Sequence, residues 1–211
     1  MLKEKLEVYN LKGKFQRVMD RKAFYAKSKR EFLKFGKIST KVKTVRLILM
    51  NSNGMIYIQK RSNAKKENPS LYDKTVGGHV TAGYTQDSAL VKECAEELGF
   101  PIAVVPKKEF TKLVKSVDLK VIGIAKEIAL LKNFNSTRVV GKKFFIQPFI
   151  TKIYLGYYDG PIQFSDGESS GIEIFSFKDL LKEIKEKPEK FTEDIKFMIK
   201  RYKQYLVPIK K

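Results

Sequence analysis

The 211-residue chain holds a single cysteine, Cys94, and a single histidine, His79. One thiol excludes an internal disulfide and a multi-cysteine zinc site, and one imidazole excludes a histidine-rich metal centre. Acidic residues are scarce beside basic ones, 23 against 43, which leaves a formal net charge of +20 at pH 7. Most of the basic residues are lysines scattered along the chain. That excess suits an acidic partner such as nucleic acid, anionic lipid or a phosphorylated small molecule, and equally suits genome composition or a heat-adapted host. No apolar run approaches the length of a membrane span, and the opening MLKEKLEVYN lacks the apolar core of a signal peptide. A cytoplasmic location is expected. With no Gly/Ser/Pro-rich linker, internal repeat or low-complexity tract, residues 1–211 read as one domain, residues 1–41 being an N-terminal extension. A hydrophobic content of 43% is ample for a core.

The clearest local structure is VKTVRLILM, then NSNG, then MIYIQKRS. Two β-rich runs flank an Asn53-Gly54 pair that tolerates the positive φ of a tight turn, so residues 42–50 and 55–60 are expected to pair antiparallel. Upstream, Leu6, Val8 and Tyr9 alternate, and a basic segment from Arg17 to Lys37 carries Phe24, Tyr25, Phe32 and Phe35. Basic residues interleaved with aromatics can grip single-stranded nucleic acid, but packing is the favoured reading of these rings. Residues 102–142 leave strand and helix open, with a helical turn or two around Phe110 to Val114. FFIQPFITKIYLGYY reads as a long strand with Pro148 near an edge or bulge, IQFSDGESSGIEIFSF as a loop and strand, and the tail from Lys178 as helices broken near Pro188.

Chemistry concentrates in Gly77 to Phe100. Thr85 or Asp87 can cap a helix; Leu90, Cys94 and Leu98 form a buried stripe at four-residue spacing; Gly99 and Pro101 end it. On such a helix Glu93, Glu96 and Glu97 project from one side, where three like charges call for a cation, Mg²⁺ or Mn²⁺ for an all-oxygen set. The competing reading is a solvated acidic face. Cys94, on the apolar stripe, reads as a core residue without a base partner.

Gly78, Glu93, Glu96, Glu97, Gly99 and Phe100 fall where the Nudix box, G-x5-E-x7-R-E-U-x-E-E-x-G-U, has its first glycine, helix glutamates, closing glycine and final apolar residue. The chain therefore resembles the Nudix superfamily over residues 77–100. QKRSNAKKENPSLYDKTVGGHVTAG and both flanks look like the subgroup related to isopentenyl-diphosphate isomerase. The resemblance implies an α/β (α+β) Nudix fold, a mixed β-sheet sandwiched between α-helices, with the N-terminal extension and a C-terminal helical tail. It implies a hydrolase that cleaves a nucleoside diphosphate linked to another moiety, or a related diphosphate, with Mg²⁺ or Mn²⁺. By the same resemblance Glu93, Glu96 and Glu97 are catalytic and metal-binding, joined by a carbonyl of Gly77 or Gly78 and by Glu168, with Glu127 and Glu173 as competitors for that last place. Arg61, Lys60, Lys65 and His79 are the candidates for substrate contacts. Two box positions depart: Tyr84 replaces the first glutamate and Lys92 the arginine, a pair understood in the family as an ion pair holding loop to helix. Packing of Tyr84 is the expected substitute. The alternative function is a catalytically silent Nudix module that binds RNA or another acidic partner; a homodimer paired through the extension is a further expectation. Isomerase activity is disfavoured, since that enzyme's reactive cysteine lies outside the box helix, in a segment without cysteine here.

Overall fold

The computed structural model describes residues 4–140, 143–163 and 169–209. The extension forms β1 (Lys5–Asn10), β2 (Phe15–Asp20) and α1 (Arg21–Phe35). β1 and β2 make an antiparallel hairpin, and Gly13 supplies the positive φ of its turn. Asp20 caps α1 by accepting from the Ala23 amide, and Gly36 in the left-handed region closes it. β3 (Thr40–Met50) and β4 (Ile56–Arg61) flank the Asn-Gly turn as expected, yet they pair only at Leu49 with Tyr57 and Met50 with Ile56.

The reason is that one edge of β3 is shared. β1 takes Thr40 to Val42, and β6 (Val76–His79) takes Thr44 to Leu47, both antiparallel. β5 (Tyr72–Asp73) pairs with β4. The other edge of β3 runs parallel to β9 (Lys143–Tyr157) from Val42 to Met50. Between them in sequence lie α2 (Gln86–Glu93), β7 (Ile102–Val104), α3 (Lys107–Ser116) and β8 (Gly123–Val140). The stretch around Phe110 is thus helix, and Val121 to Leu131 resolves as the start of a strand. β8 and β9 pair along their whole lengths, and Pro148 sits one residue before β3 begins to cover β9, where a missing N–H costs no ladder bond. β10 (Ser169–Phe175) pairs with β4, and α4 (Phe177–Glu186) and α5 (Glu193–Tyr202) form the tail.

The result is one mixed sheet in the order β10-β4-β3-β9-β8-β7, with helices on both faces. Alternation along β3 divides the core. Val45, Leu47 and Leu49 face Leu90, Cys94 and Leu98 of the box helix, while Ile48 and Met50 face Leu180, Ile195, Met198 and Ile199 of the tail helices. Each such leucine or isoleucine contributes about 1.5–3 kcal/mol by burial. Leu6, Val8 and Phe24 of the extension pack on Val42, Phe134 and Phe149. The extension therefore pairs and packs within its own chain.

β3 also carries Arg46 in an otherwise apolar run. Its guanidinium donates to Asp194 Oδ2 from Nε (3.2 Å) and Nη2 (3.0 Å), and to the hydroxyls of Thr44 (2.7 Å) and Thr151 (2.6 Å). Ser136 donates to the same aspartate, and Lys74 pairs with Asp73 at 2.9 Å and stands 3.8 Å from Asp194. Burial raises the Asp194 carboxyl, but Arg46, Lys74 and Arg138 outweigh it and hold the pKa below the usual range. Asp73 is likewise lowered, burial being overcome by Lys74 and Arg61. Lys74 shifts down as well, because burial exceeds the pull of its two aspartates and Arg46 and Arg138 repel it.

A carboxyl whose folded pKa is depressed stabilises the protein above its unfolded pKa, about 3.9 for aspartate, and loses that contribution as pH falls through the folded value. Urea unfolding should show stability declining steeply below about pH 4. Asp194→Ala at neutral pH should cost roughly 3–5 kcal/mol, because Arg46 is left buried and unpaired.

Candidate active site

The site grows from the turn between β6 and α2. Thr85 caps α2: its hydroxyl accepts from the Ser88 amide at 3.1 Å while Ser88 Oγ accepts from the Thr85 amide. Asp87, the alternative cap, instead accepts from Tyr154 (2.5 Å) and Lys152 (3.0 Å). The α-helix gives way at Cys94 to a single π-helical turn, Cys94–Leu98, which ends on Gly99 at φ 72°. This turn redistributes the acidic trio. Glu97 is 6% exposed and its carboxyl is hydrogen-bonded to that of Glu93, whereas Glu96 lies at the exposed rim, 3.1 Å from Lys92. The trio lines one cleft and divides there into an inner pair and an outer member. Burial pushes Glu93 up to about 7, the bond to Glu97 pulling the other way. Two carboxyls in one hydrogen bond need a shared proton or a cation between them.

Gly78 faces this pair without a side chain. A Cβ there would stand 2.2 Å from the Glu93 carboxyl carbon. Gly77 is equally tight against Lys74, whose Cε would be 2.3 Å from an added Cβ. The residues fit a hard divalent cation in donor type: Glu93, Glu97 and the carbonyls of Gly77 or Gly78 offer only oxygen, with Glu96 at the rim. Among the described residues, no group of three or more His, Cys, Asp or Glu stands ready to hold a metal as arranged.

These residues open onto a cleft of about 850 Å³. Arg61 and Lys65 line it, and so does His79, which shares a 2.6 Å hydrogen bond with Tyr25 of α1. Burial, reinforced by Arg21 and Arg138, holds His79 well below its ordinary pKa, so it is neutral at pH 7; burial pushes Tyr25 up to about 12. Lys60 does not line the cleft: alternation along β4 turns it away, with its amine 5.7 Å above the Tyr72 ring. Glu127 is held by Lys152 and Glu173 by the Tyr72 hydroxyl, so neither competes for the metal place. Glu168 lies outside the described residues. Cys94 is fully buried and burial raises its thiol pKa, which suits a core role.

A family model described as the NUDIX domain matches residues 40–195, about three quarters of the chain. The chain belongs to the Nudix family. A Nudix hydrolase from Deinococcus radiodurans is 39% identical over 62 residues, 29% of this chain and 36% of that protein. An isopentenyl-diphosphate Delta-isomerase from Salmonella heidelberg is 35% identical over 54 residues, 26% of this chain and 30% of that protein. The alignments thus span about a third of the length of these curated relatives. The crystal structure of DR0079 from Deinococcus radiodurans has the same fold, with a TM-score of 0.62 and 20% identity over 94% of this chain and 98% of that one.

The two departures in the Nudix box now have a structural account. Tyr84 is 57% exposed, contrary to the expectation that its packing holds the loop. The extension holds it instead. Ala82 donates its amide to Lys5 O (2.8 Å), Gly83 donates to Glu7 Oε1 (3.2 Å), and Leu6 bridges Thr81. Glu7, from β1, is further fixed by Lys43 at 2.9 Å. Lys92 meets Glu96 on its own helix and has no part in the clamp.

Sequence reasoning missed the cations on the far wall, Arg46, Lys74 and Arg138, and the α1 residues Arg21, Tyr25 and Lys29. An arginine inside the apolar run VRLILM was a readable signal for Arg46; nothing local marks Arg138. Removing the clamp should be felt where removing the tyrosine is not. Glu7→Ala should cost about 1–2 kcal/mol in chemical denaturation by leaving Lys43 and the Gly83 amide unpaired, and Tyr84→Ala should stay within about 0.5 kcal/mol of the parent.

Proposed function

We propose that this Nudix protein is a Mg²⁺- or Mn²⁺-dependent hydrolase of phosphoanhydride bonds, acting on a nucleoside diphosphate linked to another moiety or on a related diphosphate. The observation that carries the reading is the inner carboxyl pair, Glu93 and Glu97, set against Gly78 on one wall of a cleft whose other walls are cationic. Glu93, Glu97 and a Gly77 or Gly78 carbonyl would hold the divalent ion, with Glu96 near the rim. Bound there, the ion supplies neutralisation of the diphosphate and acidification of water.

The chain's own residues account for the rest. Arg61, Lys65 and Arg138 draw the diphosphate into the cleft and offset its charge, which grows on the leaving phosphate oxygens as the bridge breaks. The water oxygen bonds to phosphorus, the bridging P–O bond breaks with its electron pair on the leaving phosphate, and the proton of water passes to a carboxylate of the inner pair. His79 and Tyr25 stay neutral and hydrogen-bonded, which keeps the β6 end against α1 and the cleft wall fixed. The one thiol, Cys94, lies in the core behind the helix, which supports hydrolysis over the thiol-dependent proton transfers of an isomerase.

The test is a panel of nucleoside diphosphate derivatives with Mg²⁺, read by phosphate release. Wild type should turn over at least one member, and Glu97→Gln and Glu93→Gln should each lose about 10²-fold or more in kcat, the usual range for a positioned acid or base. Gly78→Ala should fold normally, since its clash is with the mobile end of Glu93, yet fall as far in kcat because that carboxyl is displaced. No turnover of any member, or turnover indifferent to Glu97, would refute the assignment.

A further inference from the structure

We propose that the cleft accepts a linear polyphosphate group of three or more phosphoryl units, and that Arg21 and Lys29 of α1 bind the units beyond the diphosphate. This rests on the hydrolase reading above and narrows its substrate class. The first ground is what the walls are made of. Among the described residues, the 850 Å³ cleft is lined by nine basic side chains against five carboxylates, while its only aliphatic side chains are Val45 and Ala64. Cavities of that size take ligands well beyond a diphosphate. An isoprenoid tail needs an apolar wall and a nucleobase prefers an aromatic face. Here the rings are Tyr25 and His79, and those are bonded to each other. The remaining volume is matched to anionic oxygen.

The second ground is where the extra cations come from. Arg21, Tyr25 and Lys29 recur at four-residue spacing, so they form one stripe of α1. Tyr25 is pinned to His79, next to Gly78, which turns that stripe to the cleft. α1 precedes the segment matched by the NUDIX family model, residues 40–195, so the stripe is an addition to the family core. Arg21 meets Glu4 at 2.6 Å and Lys29 meets Glu67 at 3.3 Å, both solvent-accessible pairs of the kind that contribute little and exchange readily. The deeper cations differ. Arg46 and Lys74 are committed to Asp194 and Asp73, while the buried Nε of Arg138 has no hydrogen-bond partner and its guanidinium stands 3.7 Å from Glu67. A phosphoryl oxygen displacing Glu67 would satisfy Lys29 and Arg138 together.

Calorimetric titration of the full chain with inorganic pyrophosphate and with inorganic tripolyphosphate, at fixed ionic strength and without added metal, tests this. Wild type should bind tripolyphosphate at least about tenfold more tightly, the worth of a charge-assisted contact. Arg21→Gln/Lys29→Gln should lose that preference while its pyrophosphate affinity changes by no more than about twofold, as for loss of remote screened charges. Lys22→Gln/Arg30→Gln, which removes the same charge from α1 outside the cleft, should retain the preference. Equal affinities in wild type, survival of the preference in Arg21→Gln/Lys29→Gln, or its equal loss in Lys22→Gln/Arg30→Gln would overturn the proposal. A chain with the α1-dependent preference but no hydrolysis would overturn the catalytic reading and leave this subsite standing.

Discussion

Two carboxyls, those of Glu93 and Glu97, are held against each other on the wall of the cleft. Like charges so placed cannot both ionise unless a cation joins them. Much of the surrounding architecture follows from keeping the two in place. The π-helical turn swings Glu97 inward and leaves Glu96 at the rim. Gly78 makes room for the Glu93 carboxyl, and β6 brings Gly78 to that point by pairing with β3. Leu90, Cys94 and Leu98 anchor the helix beneath through the apolar face of the same strand. A single edge of β3, divided among β1, β6 and β4, therefore sets the distance between loop, helix and extension.

The opposite wall solves the reverse problem, that of gathering cations. Arg46 and Lys74 are neutralised from behind by Asp194 and Asp73, which come from α5 and β5 and tie the tail to the sheet. Cations stabilised from behind in this way can face the cleft without depending on a ligand for the fold. On α1, Arg21 and Lys29 pair with the accessible Glu4 and Glu67, so charge that is structural grades into charge available to a phosphate. The extension also replaces the ion pair absent from the Nudix box, with Glu7 and the β1 backbone gripping Ala82 and Gly83. One segment thus clamps the loop and walls the cleft.

The fold was legible wherever periodicity and punctuation agreed. The Asn53-Gly54 turn, the Leu90, Cys94 and Leu98 stripe and the stop at Gly99 could all be taken from residue types and spacing. The division of the glutamates was not, because a π turn leaves no mark in a sequence read at 3.6 residues per turn. The role of Tyr84 was misjudged for a different reason: the loop's partner lies some 75 residues earlier, at Glu7, and a long-range backbone clamp has no local signature. Lys60 and Arg61 show how fine the resolution must be, since strand alternation sends one into the cleft and its neighbour out. Arg138 and Lys29 reach the site only through the packing of β8 and α1.

The central claim is that the inner carboxyl pair is a cation site. Mn²⁺ binding followed by electron paramagnetic resonance on the purified chain addresses it without reference to any substrate. The account predicts bound Mn²⁺ in the wild type, lost in Glu93→Gln and in Glu97→Gln and retained in Glu173→Gln, which removes a carboxylate outside the cleft. Mn²⁺ that fails to bind, or that binds equally well to all of these proteins, would contradict it.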